Sequence, residues 1–228
     1  MESTSSGGRG ILAVWNDCAP GSEGQYEAWY RGEHLPERVG IPGFRGGWRY
    51  RAIDAELEYF TFYETDTPEV LRSEPYLARL NDPTPLTRRI MSGPFIHATR
   101  ALCTCVARWG TLRGALAVSV RFEAPPGGEL EARLREVSAR AEVLRAELWM
   151  AAPAAGPSTL SAEQQLRGPD KTIAAGALVE TVTEQEAAAV AATLGAALGP
   201  RARIGTYRLF CALHRVDLDR SVIPLPRR

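Results

Sequence analysis

Gly10-Ile-Leu-Ala-Val14 (GILAV) returns 104 residues later as Gly114-Ala-Leu-Ala-Val118 (GALAV), with Gly, Leu, Ala and Val in the same places. Two further matches keep the order. Tyr63-Glu64-Thr65-Asp66-Thr67 lines up with Val179-Glu180-Thr181-Val182-Thr183, sharing Glu, Thr and a Thr suited to cap a helix. Ile96, Arg100 and Cys103 match Ile204, Arg208 and Cys211 at an offset of 108. Short apolar strands resemble one another by chance, but a common order with offsets that loops can absorb implies a duplication. The expected units are residues 10–107 and 113–216.

Within the first unit, β-branched and apolar runs at 10–16, 47–53, 58–65 and 95–106 read as strands. A helix opens near Ser22 or Glu23 and puts Tyr26, Trp29, Tyr30 and Glu33 or His34 on one face. Pro36 is expected to end it, because proline lacks the backbone N–H and disfavours helix at the residue before it. Thr67-Pro68 starts a helix interrupted at Pro75, and Thr84-Pro85 starts a short one running to 91. The order is strand, helix, strand, strand, helix, strand, the ferredoxin-like arrangement. The second unit repeats it, with strands at 115–122, 146–152, 172–183 and 202–214 and helices at 128–143 and 184–198. A Pro/Gly/Ser-rich loop is expected over 153–169, and the tail with Pro224 and Pro226 along the surface. Each sheet has helices on one face and needs an apolar partner on the other. The expected fold is therefore α+β: two tandem ferredoxin-like βαββαβ units whose antiparallel sheets pack into an intramolecular α/β barrel. That pseudo-dimer leaves association into a further homodimer open.

The totals exclude several classes. With 45% hydrophobic and 24% charged residues and a formal net charge of zero, the chain is globular and lacks the basic field that binds nucleic acid or anionic membranes. Cys18, Cys103, Cys105 and Cys211 have neither zinc-knuckle spacing nor disulfide density, and read as reduced, buried thiols. Residues 1–9 carry no apolar segment of a signal peptide, and no run reaches the ~18 apolar residues that span a bilayer. A cytoplasmic protein is expected. Lys171 is the single lysine, the usage of a GC-rich bacterial genome.

The pattern Trp29-Tyr30, Glu33-His34-Leu35-Pro36-Glu37-Arg38, Ile41-Pro42-Gly43-Phe44 and Arg49-Tyr50-Arg51 resembles the EthD-like branch of the dimeric α/β-barrel superfamily over the first unit. The resemblance implies ferredoxin-like units paired into a barrel. It also implies a range of activities: small-molecule isomerases, polyketide and aromatic cyclases, cofactor-free monooxygenases and haem proteins. The second unit lacks the motif, and the position equivalent to His34 falls near Ser138 or Ala139.

His34 is the candidate catalytic proton-transferring group, with Tyr30 or Tyr63 positioning an oxygen. The bland alternative is a histidine that bonds a backbone carbonyl. Tyr26, Trp29, Glu33, Trp48, Tyr50, Tyr63 and Arg100 are the candidate substrate-binding residues, the aromatics lining a pocket between helix and sheet or serving as core. Arg100 and Arg208 are expected to pair with Glu64 and Glu180, or Arg100 to anchor a substrate carboxylate. No metal site is expected, since Glu33, His34 and Glu37 diverge on a helix. Haem would need His34, His97 or His214 as axial ligand, and no cofactor is the preferred expectation. Cys103 and Cys105 share a strand face and read as small hydrophobes. The leading expectation is an enzyme that cyclises or isomerises an apolar or aromatic small molecule by acid/base chemistry. A non-catalytic small-molecule binder and a cofactor-free or haem-assisted monooxygenase are the alternatives.

Overall fold

Alternation along the first strand sets the architecture. In the computed structural model, which describes residues 8–152 and 160–220, β1 (Gly10–Cys18) sends Ile11, Ala13 and Trp15 to one face and Leu12 and Val14 to the other. Apolar side chains on both faces require cover on both. A helical stretch follows as α1 (Glu23–Trp29), a π-helical turn at Tyr30–His34 and α2 (Leu35–Val39). Next come β2 (Phe44–Asp54), β3 (Tyr59–Thr65), a 3-10 turn at Pro68–Arg72, α3 (Glu74–Asn81), α4 (Pro85–Met91) and β4 (Phe95–Trp109). The chain continues through β5 (Leu116–Phe122), α5 (Glu129–Ser138), β6 (Arg145–Ala151), α6 (Ala162–Arg167), β7 (Ala175–Thr181), α7 (Glu184–Leu198), β8 (Arg203–His214) and α8 (Arg215–Arg220).

The strands close into one antiparallel barrel in the order β1-β3-β2-β8-β5-β7-β6-β4. Two seams join the halves edge to edge: β2 to β8, with Trp48 opposite Ala212, and β4 to β6, with Thr104 opposite Met150. Closure removes every exposed sheet edge. The barrel interior is filled rather than hollow. Trp15 stacks on Phe60 and Trp48 on Phe62, each with ring centroids 5.0 Å apart, and Trp149 and Tyr207 close the gaps. Two outer cores lie between sheet and helices, an aromatic-rich one over the first half and an aliphatic one under α5 and α7. No helix among the described residues is long and apolar enough to cross a membrane.

The matched sequence segments occupy matching places. Thr65 and Thr181 each donate a side-chain hydrogen bond to the carbonyl two residues on, at Thr67 and Thr183. Other expectations need correction. Pro36 does not end its helix. Leu35 N–H donates to the Tyr30 carbonyl five residues back, and this wide turn accommodates the proline ring that a regular α turn would drive against the carbonyl four residues earlier. The 3-10 turn after Thr67 has no side-chain cap, whereas Thr183 forms a full capping box with Glu186. Within the expected loop 153–169, the described part contains α6, whose Ser161 and Gln164 make a capping box that outweighs the surrounding Pro and Gly. The helix expected over 128–143 ends at Ser138. Pro224 and Pro226 lie outside the described residues.

Gly47 on β2 is paired with Tyr63. A Cβ there would lie 2.7 Å from Leu35 Cδ1 and 2.8 Å from Tyr63 Cδ1, which leaves no space for a methyl group. Gly47→Ala is therefore expected to cost about 1–3 kcal/mol in urea denaturation, the usual range for overpacking. Unchanged stability would show that Leu35 can swing aside.

Candidate functional site

Tyr30, His34 and Arg38 follow one another at four-residue steps down the first helical stretch. A regular α-helix would carry such residues progressively around its axis, and the wide turn at Tyr30–His34 takes that advance back. All three line one small cavity between this helix and the outer face of the sheet. Tyr63 enters from β3, Tyr76 from α3, Arg100 from β4, and Glu163 and Arg167 from α6. The cavity holds about 30 Å³, the space of a water molecule.

His34 is only 8% exposed, and its ring lies 4.3 Å from that of Trp29. Its Nδ1 is buried without a hydrogen-bond partner among the described residues. Burial, then the positive charges of Arg38, Arg49 and Arg167, push its pKa well below the usual histidine value, so the ring is neutral at pH 7. Tyr30 and Tyr63 share a hydrogen bond of 3.1 Å between their hydroxyls. Burial, then the neighbouring Tyr30, raises the pKa of Tyr63 well above the ordinary phenol value, which keeps its proton in place.

Around this pair stand three guanidinium groups. Arg38, 2% exposed, forms an ion pair with Glu163 through Nη2, while its Nη1 is buried and without a partner among the described residues. Arg100 Nη2 donates to the Tyr76 hydroxyl at 2.5 Å. Arg167 holds Asp170 through bonds of 2.9 and 2.7 Å. A fourth arginine, Arg49, lies just behind. It stacks 3.6 Å from the centre of the Tyr30 ring and is fixed by Glu27 at 2.7 Å.

Of the sequence candidates, His34, Tyr30, Tyr63 and Arg100 come together. Trp29 supports the His34 ring and donates through Nε1 to Thr87 Oγ1 at 2.9 Å. Tyr26 packs farther back, its hydroxyl accepting from Asn16 at 2.7 Å. Glu33 turns away and accepts from the hydroxyls of Thr84 and Thr87. Trp48 and Tyr50 do not line this cavity. They alternate with Arg49 on β2 and face the barrel interior, where Tyr50 donates to Glu180 at 3.0 Å.

The expected pairing of Arg100 and Arg208 with Glu64 and Glu180 is also corrected. Glu64 and Glu180 point into the barrel, where Arg9, Arg108 and Arg113 reach them, whereas Arg208 pairs with Glu184 at the surface. Sequence reasoning assigned no role to Arg38, Tyr76, Glu163 or Arg167. Only Arg38 left a signal, its four-residue spacing from His34.

No cluster of three or more His, Cys, Asp or Glu side chains suited to a metal occurs among the described residues. A haem does not match this site either. It needs a broad apolar slot, and His34 stands among guanidinium, carboxylate and hydroxyl groups. His97 is 68% exposed and bonded to Asp17 at 2.9 Å, and His214 packs edge-on against Trp48.

The buried neutral histidine makes a measurable contribution to acid sensitivity. Its folded pKa is depressed, while in the unfolded chain it protonates near the ordinary value of about 6.5. Below that pH, unfolding takes up a proton, so the folded state loses about 1.4 kcal/mol per pH unit from this residue until its folded pKa is reached. Denaturation at pH 7.0 and at about one pH unit below 6.5 should show this loss in the natural protein. The His34→Gln variant should lack it.

The closed barrel of eight antiparallel strands, flanked by helices on its outer face, places the chain in the ferredoxin-like α/β-barrel fold class. Solved structures share it, two of them as follows. One is an anthrone oxidase-like protein, 10% identical, with a TM-score of 0.56 over 93% of this chain and 96% of that one. The other is a candidate monooxygenase of Fusobacterium nucleatum subsp. nucleatum, 8% identical, with a TM-score of 0.56 over 91% of this chain and 95% of that one. At these identities the likeness is one of fold. No protein-family model matches the sequence, and no curated protein does.

Proposed function

We propose that the chain is a bacterial, cytoplasmic small-molecule enzyme in which neutral His34 removes a proton from a carbon beside a carbonyl group. The observation that carries this reading is the buried Nδ1 of His34, without a partner among the described residues, on a residue that lines one cavity with the hydrogen-bonded Tyr30 and Tyr63. The base needs the tautomer with its proton on Nε2, which leaves the Nδ1 lone pair free. As the C–H bond breaks, charge moves to the carbonyl oxygen, where a tyrosine O–H and the Arg100 guanidinium supply hydrogen bonds and positive charge. The imidazolium then returns its proton to another atom, giving an isomer or, after attack on a second carbonyl, a ring.

The depressed pKa limits the substrate. A weak base removes protons efficiently only from an acidic carbon, one whose anion spreads into a carbonyl and an aromatic or second carbonyl group. Aromatic and polyketide-like ketones meet that condition. The same carbanion is what a cofactor-free oxygenase would expose to dioxygen, a second reading that the names of the two fold neighbours favour. Membership of the EthD-like branch, and the reading of 10–107 and 113–216 as copies of which only the first kept the histidine, belong to the same proposal.

The test is deuterium wash-in. Indanone, tetralone and aromatic diketones are incubated with the protein in deuterated water, and the α-proton signal is followed by NMR alongside oxygen uptake. Catalysed exchange that depends on His34 supports the reading. Oxygen consumption in step with exchange selects the oxygenase. Ketones that bind without exchange would make the protein a binder and overturn the catalytic role.

A further inference from the structure

Helices normally dock through an apolar stripe. The short helix α6 buries a carboxylate instead, since Glu163 is its one buried residue. That carboxylate crosses from the second half of the chain to the first, where it meets Arg38 on the wall of the His34 cavity. Leu166 is only partly buried against the aromatic core, and the backbone tie is Ala162 N–H to Asn81 Oδ1 at 3.2 Å. Arg167 on the same helix lies 5.5 Å from the centre of the Phe95 ring and reaches Met91 Sδ at 3.8 Å, so α6 is seated mainly through polar and charged side chains, of which the Arg38–Glu163 pair is the most deeply buried.

The charge balance of the cavity is uneven. Arg38, Arg100 and Arg167 stand against Glu163, with Asp170 engaged by Arg167. The partner of Arg100 is the Tyr76 hydroxyl rather than a carboxylate. Among the described residues Arg38 keeps one buried Nη1 without a partner, although a guanidinium can hold a carboxylate through two parallel bonds. A buried cation with an unused donor, on a cavity to which α6 contributes the opposing carboxylate, is arranged for an anion that arrives from outside.

We propose that this cavity takes a small organic anion with an apolar body, whose carboxylate replaces that of Glu163 on Arg38 and releases α6. Glu163 is then an internal stand-in for the ligand, and the water-sized cavity is the closed state of a larger one. The inference rests on the reading of the His34 cavity as the ligand site and names the class of ligand it admits. It also gives α6, a helix of the second half, a task in the site of the first.

The experiment compares sodium benzoate with neutral benzamide by calorimetry on the natural protein, Glu163→Gln and the double variant Arg38→Gln/Glu163→Gln. Glu163→Gln should bind benzoate at least about tenfold more tightly than the natural protein, a change of about 1.4 kcal/mol. The double variant should lose that gain, and benzamide should bind weakly throughout. Because Glu163→Gln leaves Arg38 buried and unpaired, its thermal midpoint is measured as well, and benzoate should raise it more than that of the natural protein. In the natural protein, benzoate should speed amide hydrogen exchange over residues 161–167. Equal benzoate affinity with and without Glu163, equal binding of benzamide, or unchanged exchange in α6 would overturn the proposal. Calorimetry reads binding with no turnover, so loss of proton transfer and loss of the anion site are read separately.

Discussion

Replacing His34 with glutamine is expected to slow deuterium wash-in by about 10²–10⁴-fold, the usual contribution of a positioned general base. Glutamine keeps a polar side chain against Trp29 but has no basic nitrogen, so the loss reads out proton transfer rather than packing. Tyr63→Phe should cost less, because Tyr30 still offers a hydroxyl 3.1 Å from where that of Tyr63 stood. The pH profile adds a second constraint. Burial and the surrounding arginines hold the His34 pKa well below 6.5, so the free-enzyme rate should stay flat from neutral pH down through 6.5 and fall only beyond it. A rate that dropped at or above 6.5 would assign the base to another group. Retention of the rate by His34→Gln would remove the catalytic role altogether.

What the sequence disclosed follows from how local the signals were. The apolar runs at 10–16 and 58–65 and the echo of GILAV in GALAV depend only on neighbouring residues and on order, and they led to the strands of an antiparallel barrel. Pro36 misled because its effect depends on the turn before it, and a wide turn at Tyr30–His34 lets the helix continue. Arg100 and Glu64 misled for another reason. Both are matched in the second half, but Arg100 pairs across the sheet with Val14 on the outer face while Glu64 pairs with Ile11 on the inner face. One residue of register separates surface from interior. The aromatic residues divided on the same ground, with Tyr63 outside beside His34 and Trp48 and Tyr50 inside. Glu163 lies 125 residues from Arg38, and no pattern within either half joins them.

Glu64→Gln is expected to destabilise the fold by about 3–5 kcal/mol, the usual cost of removing one member of a buried charge network. Its carboxylate, 4% exposed, accepts from Arg9 at 2.9 Å, Arg108 at 2.8 Å and Arg113 at 2.5 Å, with Arg145 at 3.6 Å. Glu147 and Glu180 complete the cluster from the second half, so these arginines tie β3 to β6 and β7 across one end of the barrel. Burial alone would raise the Glu64 pKa, but Arg113, Arg108, Arg9 and Arg145 outweigh it and hold the pKa below the ordinary value. Its contribution is therefore present above the unfolded carboxylate pKa and is lost as pH falls through the folded one. At Glu180 burial wins over Arg113 and the pKa is raised, so its charge contributes less net stability. Glu180→Gln should accordingly cost less than Glu64→Gln in urea denaturation at pH 7. If the two variants were equally stable, the network would be acting as a symmetric plug. The larger loss at Glu64 instead makes that carboxylate the anchor on which the arginines of both halves converge.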